Sequence, residues 1–472
     1  MSQNTQPLDT TDERLVAEQL KSANKYIFRA LLSIASAGLL IRVMGMVNQV
    51  VVSANFGAGA AMDAYFVASL LPIVIAQLIV GAVENSVIPA YARARTGGTK
   101  EQASVLFSTL LNIVLIGATL LTLVMFIFRR ELIFFSAPAL DSTSTGLAID
   151  LIPFILPVLP LMIAIGLLEC ILNTEGQFGW PAYAGILVPI STAILVLVAG
   201  KSLGVVTLCV GMVIGLCLQI CLFLIRVKRA KLVYRPVIDL HHPEIGLICI
   251  AAWPALLGSV ISQVSPLIDQ IFASFLSAGS ISALNYSLKL MSVPTGVIAM
   301  SVGRAVVPYL SHQAARKDMK AFKETLRMYL WAVGLTTLVL SALMLLFAHP
   351  LVQLLFQHGR FSPEDTNHTA TTLMGFVVGL APMTLVFILV RAFSALGKTR
   401  VLMFISLFNV AANAIFDYIF VRPWQSEGIA LATSIMYFSA MLILLYTLRR
   451  MIGKLYLFTT VPDVSKFIRR RT

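Results

Sequence analysis

The chain has 472 residues, of which 58% are hydrophobic and only 12% charged, with a mean hydropathy of +0.88 and a formal net charge of +13. Soluble domains carry about 25% charged residues, so half that charge cannot cover a water-facing surface of this size, and a soluble fold is excluded. The basic residues fall in short loops between apolar runs, which fits loop charge on a membrane protein and not the soluble basic face that nucleic acid requires.

In chain order, residues 1–26 read as a cytoplasmic N-terminal segment. Asp9, Asp12, Glu13 and Glu18 give it the wrong charge for a signal-peptide n-region. Thr10 to Glu13 resembles a capping box, and Leu15, Val16, Leu20 and Tyr26 follow near helical spacing, so a short helix at the membrane surface is expected. Twelve apolar stretches then follow, each long enough to cross a hydrocarbon core. They lie at 27–54, 62–92, 104–128, 147–171, 181–200, 203–225, 244–276, 281–310, 326–348, 367–396, 400–420 and 427–448. Pro72, Pro89, Pro254, Pro266, Pro294 and Pro308 fall inside them. Such long, proline-broken spans suggest either bent helices around a cavity or simple tilt. All five cysteines sit in apolar runs without a C-x-x-C pair, and read as small buried residues.

Loop charge orients the spans. With the N-terminus inside, twenty-six Lys and Arg fall on the inner side against five on the outer. That bias places both termini in the cytoplasm and requires an even number of spans. The expected divisions are an N-lobe at 27–225, a basic cytoplasmic linker at 226–243, a C-lobe at 244–448 and a basic cytoplasmic tail at 449–472.

The halves repeat. Asn48, Gln49, Val50 and Ser53 match Asp269, Gln270, Ile271 and Ser274, Tyr65 matches Tyr286, and Gly176 matches Gly397, all 221 residues apart. Six spans per half is an even number, so the repeat is parallel. The expected fold is therefore an all-α polytopic membrane protein with about twelve transmembrane helices in two six-helix lobes around a central cavity, as in rocking transporters.

Charges inside spans are costly and mark functional positions. Arg42, Asp63, Glu84, Asp269, Lys289 and Arg304 lie on the first two spans of each half, so these four helices are expected to line the cavity. Arg42, Lys289 and Arg304 could hold an anionic group such as a diphosphate, with Asp63, Glu84 and Asp269 as acidic or coupling residues. Internal pairing, Asp269 with Arg42 or Glu84 with Arg304, is the other reading, and Asp63 could simply be a helix cap. Arg391 and Asp417 lie near span ends and are expected to snorkel.

No phosphate-binding loop, H-E-x-x-H pair or G-x-S-x-G elbow occurs. The sequence reads as a transporter and not an enzyme, with no cofactor, driven by an ion gradient, the membrane potential or the substrate's own gradient.

Several stretches resemble the MviN/MurJ family of lipid II flippases, within the multidrug/oligosaccharidyl-lipid/polysaccharide exporter superfamily. They are Phe56 to Gly59, Asp63 to Ala68, Ser280 to Tyr286, Val306 to Ser311, Leu355 to Phe361 and Ala395 to Arg400. The resemblance spans roughly residues 30–450. It implies two lobes that move polyprenyl-linked sugar precursors by alternating access. Arg42 falls where the family has a cavity arginine, Lys289 where it has another, and Asp63 on its helix-2 aspartate. A second first-helix arginine is Asn48 here, paired helix-2 arginines are Ala76 and Gln77, and the acid after them is Gly81, with Glu84 one turn on. Family members commonly have fourteen helices, and twelve are expected here.

The expected function is flipping of an undecaprenyl-diphosphate-linked sugar, lipid II foremost, across the bacterial cytoplasmic membrane for cell-wall synthesis. Its partners would be membrane lipids and cell-wall synthesis proteins, not nucleic acid. The alternatives are an exopolysaccharide or O-antigen unit flippase, an ion-coupled exporter of small amphiphiles, and a non-transporting scaffold.

Overall fold

A computed structural model describes residues 36–97, 99–177, 179–229 and 234–453, and the described residues are almost entirely helical. The expected surface helix within 1–26 and most of the basic tail lie outside the described residues, as do the side chains of 299–305, Arg304 among them.

The first half comprises α1 (Ser36–Phe56), α2 (Ala60–Gly97), α3 (Lys100–Ile127), α4 (Arg129–Ser136), α5 (Ser142–Ile155), α6 (Val158–Thr174), α7 (Gly179–Ala184), α8 (Leu187–Leu203) and α9 (Val206–Arg229). The second comprises α10 (Pro243–Ala273), α11 (Ser280–Ala315), α12 (Met319–Leu346), α13 (Ala348–Phe356), α14 (Pro363–Val378), α15 (Leu380–Ala395) and α16 (Thr399–Ile452). Side-chain caps start several of them. Thr99 and Gln102 form a capping box on α3, Ser362 and Asp365 form another on α14, and Asp141 accepts from the Ser144 N–H at the start of α5.

Seven helical segments are individually long and apolar enough to cross a bilayer, and two bent helix pairs bring the number to nine. α16 has 54 residues, about 80 Å at 1.5 Å per residue, far beyond a 30 Å hydrocarbon core. It breaks at Gln425, whose φ of 47° and ψ of −128° are not helical, just after Pro423. There the chain doubles back, and Gly428 presses on the Phe420 carbonyl so closely that a Cβ would overlap it. α16 is thus two crossings, and α10 and α11, at 31 and 36 residues, complete twelve.

The repeat is visible in geometry. The fourth and tenth spans are both broken, α5–α6 and α14–α15, and each bends by 41°. Both end on a left-handed glycine, Gly176 and Gly397, and the next N–H reaches back five residues, Gln177 to Leu172 and Lys398 to Phe393. Within the N-lobe, Gly211 and Gly215 let α9 lie against α8. Ser191 Oγ donates to the Gly211 carbonyl at 2.8 Å, as small residues permit in membranes.

Large apolar side chains face outward, Val198 at 80% and Ile250 at 74% exposed among them, as a lipid-facing surface requires. Three cysteines depart from the buried reading: Cys217, Cys221 and Cys249 are exposed, because an apolar run does not reveal which helix face meets lipid. The described part of the linker from residue 234 on is not a free loop. Arg235 N–H donates to Ser108 Oγ at 2.9 Å, Asp239 N–H to Thr109 Oγ1 at 3.1 Å, and Asn112 Nδ2 to the Val237 carbonyl at 3.1 Å. Residues 234–241 lie as a strap along α3, and His242 caps α10, its side chain accepting from the Glu244 N–H.

Candidate functional site: a central cavity closed on one side

The starts of α2 and α11 meet on the side of the molecule opposite the basic loops. Asp63 is only 2% exposed. Its carboxylate accepts from the Gly279 N–H at 2.6 Å, the Ser282 N–H at 2.7 Å and the Ser282 hydroxyl. It therefore caps a helix of the other lobe and satisfies donors that a helix N-terminus leaves open. Tyr286 donates to the Gly57 carbonyl at 2.8 Å and Arg360 N–H to the Ala54 carbonyl at 2.8 Å. Gly279 has a φ of +94°, and a Cβ on it would stand 2.7 Å from the Ala58 carbonyl oxygen, so only glycine suits this crossing. The lobes are thus sealed to each other on this distal side.

Below the seal lies a cavity of about 560 Å³ lined by α1, α2, α8, α9 and α11. Arg42 and Lys289 are its only charged lining residues among those described, with Asn48, Gln49, Ser69, Thr192, Asn285 and Ser292 around them. Arg42 comes from the N-lobe and Lys289 from the C-lobe. No carboxylate among the described lining residues offsets them, and Arg42 Nε is buried without a hydrogen-bond partner. Two unopposed cations with amide and hydroxyl neighbours are equipped to take an anion.

A second cavity of about 410 Å³ lies within the C-lobe. Asp269 and Asn413 line it, and Asn413 Nδ2 donates to Asp269 Oδ1 at 2.8 Å and to Asp417 Oδ2 at 2.7 Å. Asp417 Oδ1 and Asn413 Oδ1 are buried with no partner, and no Lys or Arg among the described residues lines the space. Free acceptors around the buried Asp417 and the half-buried Asp269 suit a cation or a proton. Ser292 of α11 borders both cavities.

Of the six residues picked from sequence, the structure brings Arg42 and Lys289 together. Asp63 is not in the cavity: it is consumed by the seal. Asp269 does not face Arg42. α10 turns Gln263 toward α2, bonding Gln77 at 2.9 Å, and Asp269, six residues on, points about 120° away into the C-lobe. The central cavity accordingly uses α8 and α9 in place of α10. Glu84 is exposed on α2, outside both cavities. Arg304 sits on α11 fifteen residues beyond Lys289, its side chain outside the described residues. Asp417 does not snorkel: it is fully buried beside Asn413. Asn413, a functional candidate the sequence reading missed, stands four residues before Asp417, one turn on the same face.

Residues 52–466 match the family model described as "Lipid II flippase MurJ". The chain belongs to the MurJ family. Among curated relatives, a protein named "Probable lipid II flippase MurJ" from Buchnera aphidicola subsp. Acyrthosiphon pisum is 26% identical over 416 residues, covering 87% of this chain and 81% of its own length. One named "Lipid II flippase MurJ" from Burkholderia cenocepacia is 26% identical over 421 residues, with 87% and 81% covered. A solved structure titled "Lipid II flippase MurJ, inward closed conformation" aligns with a TM-score of 0.75 at 23% identity over 88% of this chain and 87% of that one. The inward-facing structure of a multidrug resistance MATE family transporter aligns at 0.72 and 16% identity, with 91% and 100% covered. These two structures attest the fold, that of a multi-helix membrane protein.

Proposed function

We propose that this chain flips an undecaprenyl-diphosphate-linked sugar, lipid II in the first place, from the cytoplasmic to the outer leaflet of a bacterial cytoplasmic membrane. The observation that carries this is the central cavity, where Arg42 and Lys289, one from each lobe, face each other's space with no acid among the described lining residues to neutralise them. A diphosphate diester carries two negative charges, so two cations balance it, and charge-assisted bonds hold it once water is excluded. The prenyl tail stays in lipid while the head group occupies the cavity. The names of the curated relatives agree with this substrate.

The basic side of the molecule faces the cytoplasm on this reading, with both termini inside. The structure then represents a state closed toward the outer side by Asp63, Tyr286 and Arg360. Rocking of the lobes breaks that seal and opens the cavity outward. Asp269, Asn413 and Asp417 would take a monovalent cation or a proton from the gradient. α11, which borders both cavities, links that event to Lys289.

The test is expression in bacteria whose own lipid II flippase is depleted, with lipid II reaching the outer leaflet as the readout. The expected result is restoration by the wild-type chain and loss in an Arg42→Ala, Lys289→Ala variant of equal membrane abundance. A well-inserted wild-type chain that leaves lipid II inside refutes lipid II as substrate. Export of other polyprenyl-linked glycans, cation-driven efflux of dyes, or no transport then decides among the glycan flippase, the amphiphile exporter and the scaffold.

A further inference from the structure

Lys289 and Ser292 line the central cavity from α11, and Gly296 continues that helix face four residues on. Gly296 is buried, and what covers it comes from the other lobe. A Cβ built there would fall on the Arg42 guanidinium, with Nη2, Cζ and Nε about equally near. The planar group therefore lies flat against the bare backbone of α11. No acid holds it there: Arg42 forms no ion pair among the described residues, and its buried Nε has no hydrogen-bond partner.

We propose that Gly296 is a positioning residue for anion capture, a notch that seats the Arg42 guanidinium opposite Lys289; this rests on the reading of the cavity as a diphosphate site. An arginine side chain has a long, rotamer-rich stem, and fixing its planar fork before the anion arrives lowers the ordering cost of binding. The atoms that a side chain at 296 would meet are the far end of a flexible chain and not backbone. A small substitution thus displaces Arg42 and leaves the helix packing intact. Because notch and arginine belong to different lobes, the seat exists only while α1 and α11 are together. Grip on the anion is thereby tied to lobe position.

The experiment uses the full-length protein in lipid nanodiscs, undecaprenyl diphosphate as the probe, and three variants: Gly296→Ala, Arg42→Ala and the double change. Gly296→Ala is expected to keep the melting temperature within about 2 °C of wild type and to weaken binding about tenfold, the scale of one lost charge-assisted contact. The double variant should bind no worse than Arg42→Ala alone. Phenylglyoxal should modify Arg42 several-fold faster in Gly296→Ala than in wild type, read by peptide mass spectrometry. Equal reactivity, an additive double variant or a large drop in melting temperature overturns the seat. If the wild type itself does not bind the probe, the diphosphate reading fails, and the reactivity comparison, which needs no substrate, still decides whether Gly296 seats Arg42.

Discussion

Asp63→Asn removes the charge that caps α11 across the lobes and keeps the size of the side chain. The carboxylate accepts two backbone N–H groups and a hydroxyl. An amide offers one acceptor oxygen and turns an NH2 toward a donor, so at least one bond to a charged group is lost. Such a bond is worth about 1.5–3 kcal/mol. The anion also sits at the positive end of α11, which adds about 0.3–1 kcal/mol. The distal-closed state should therefore lose roughly 2–4 kcal/mol relative to the open one, a shift of about thirtyfold to several hundredfold in their ratio. The bonds from Tyr286 to Gly57 and from Arg360 to Ala54 remain, so the seal is weakened and not abolished. Ser69 lines the cavity and is 5% exposed, which makes Ser69→Cys in a cysteine-free background a suitable reporter. A membrane-impermeant maleimide added on the distal side should label the reporter at least tenfold faster when Asp63→Asn is also present than when Asp63 is retained. Labelling at the same rate in both refutes the seal. Labelling that rises equally from the basic side points to general loosening and also refutes it.

Asp417→Asn and Asn413→Leu should leave the protein folded and reduce the dependence of transport on a cation or proton gradient, measured by imposing and collapsing each gradient in turn. Gly215→Leu should lower the detergent melting temperature: a Cβ there would stand 2.5 Å from the Val188 Cα, and overpacking of this kind costs about 1–3 kcal/mol. Ser108→Ala with Asn112→Ala frees the strap at the loss of about 0.5–1.5 kcal/mol per hydrogen bond, and limited trypsin digestion should cut at Arg235 faster. The N–H of Ser144 holds the Asp141 carboxyl below the usual carboxylate range. This depressed value means the cap on α5 contributes above the unfolded value near pH 3.9 and fades as pH falls through the folded one. Asp141→Ala should cost about 1 kcal/mol at neutral pH, and its melting temperature should converge on that of wild type in strong acid.

The periodicity-free signals were the legible ones. Apolar length alone located all twelve spans, because the bilayer fixes how long a crossing must be. The 221-residue offset pointed to the repeat, and Gly176 and Gly397 prove to share one conformation, which explains why both are glycine. Rotation about the helix axis was not legible. Nothing in the run around Asp269 says that Gln263 takes the face toward α2, so the sequence alone places Asp269 in the central cavity when it lines the C-lobe one. Asp63 was misplaced for a related reason: a charge at a span start looks alike whether it caps its own helix or one 216 residues further on. Gly296 gave no signal, since a glycine in an apolar helix is unremarked until an arginine is found lying on it.

The same offset that relates the lobes also shows where they part. Asp269, Asn413 and Asp417 of the C-lobe correspond to Asn48, Thr192 and Val196 of the N-lobe, and Arg42 corresponds to Gln263. Asn48 and Thr192 line the basic cavity, where a carboxylate would pair with Arg42 and close the site to anions. Gln263 is uncharged and turns toward Gln77 of α2, so it brings no cation to Asp269 on the other face of α10. An internal ion pair in either cavity would compete directly with any ligand. The substitutions leave one cavity with two cations, Arg42 and Lys289, and the other with one carboxylate, Asp269, as the charged groups among the described lining residues, separated by α11, whose Ser292 touches both. Pro294, two residues on, deletes a backbone hydrogen bond at that wall, so α11 is weakened where the two sites adjoin. On the proposed reading, a change of occupancy at Asp269 would have a proline-weakened helix through which to move Lys289.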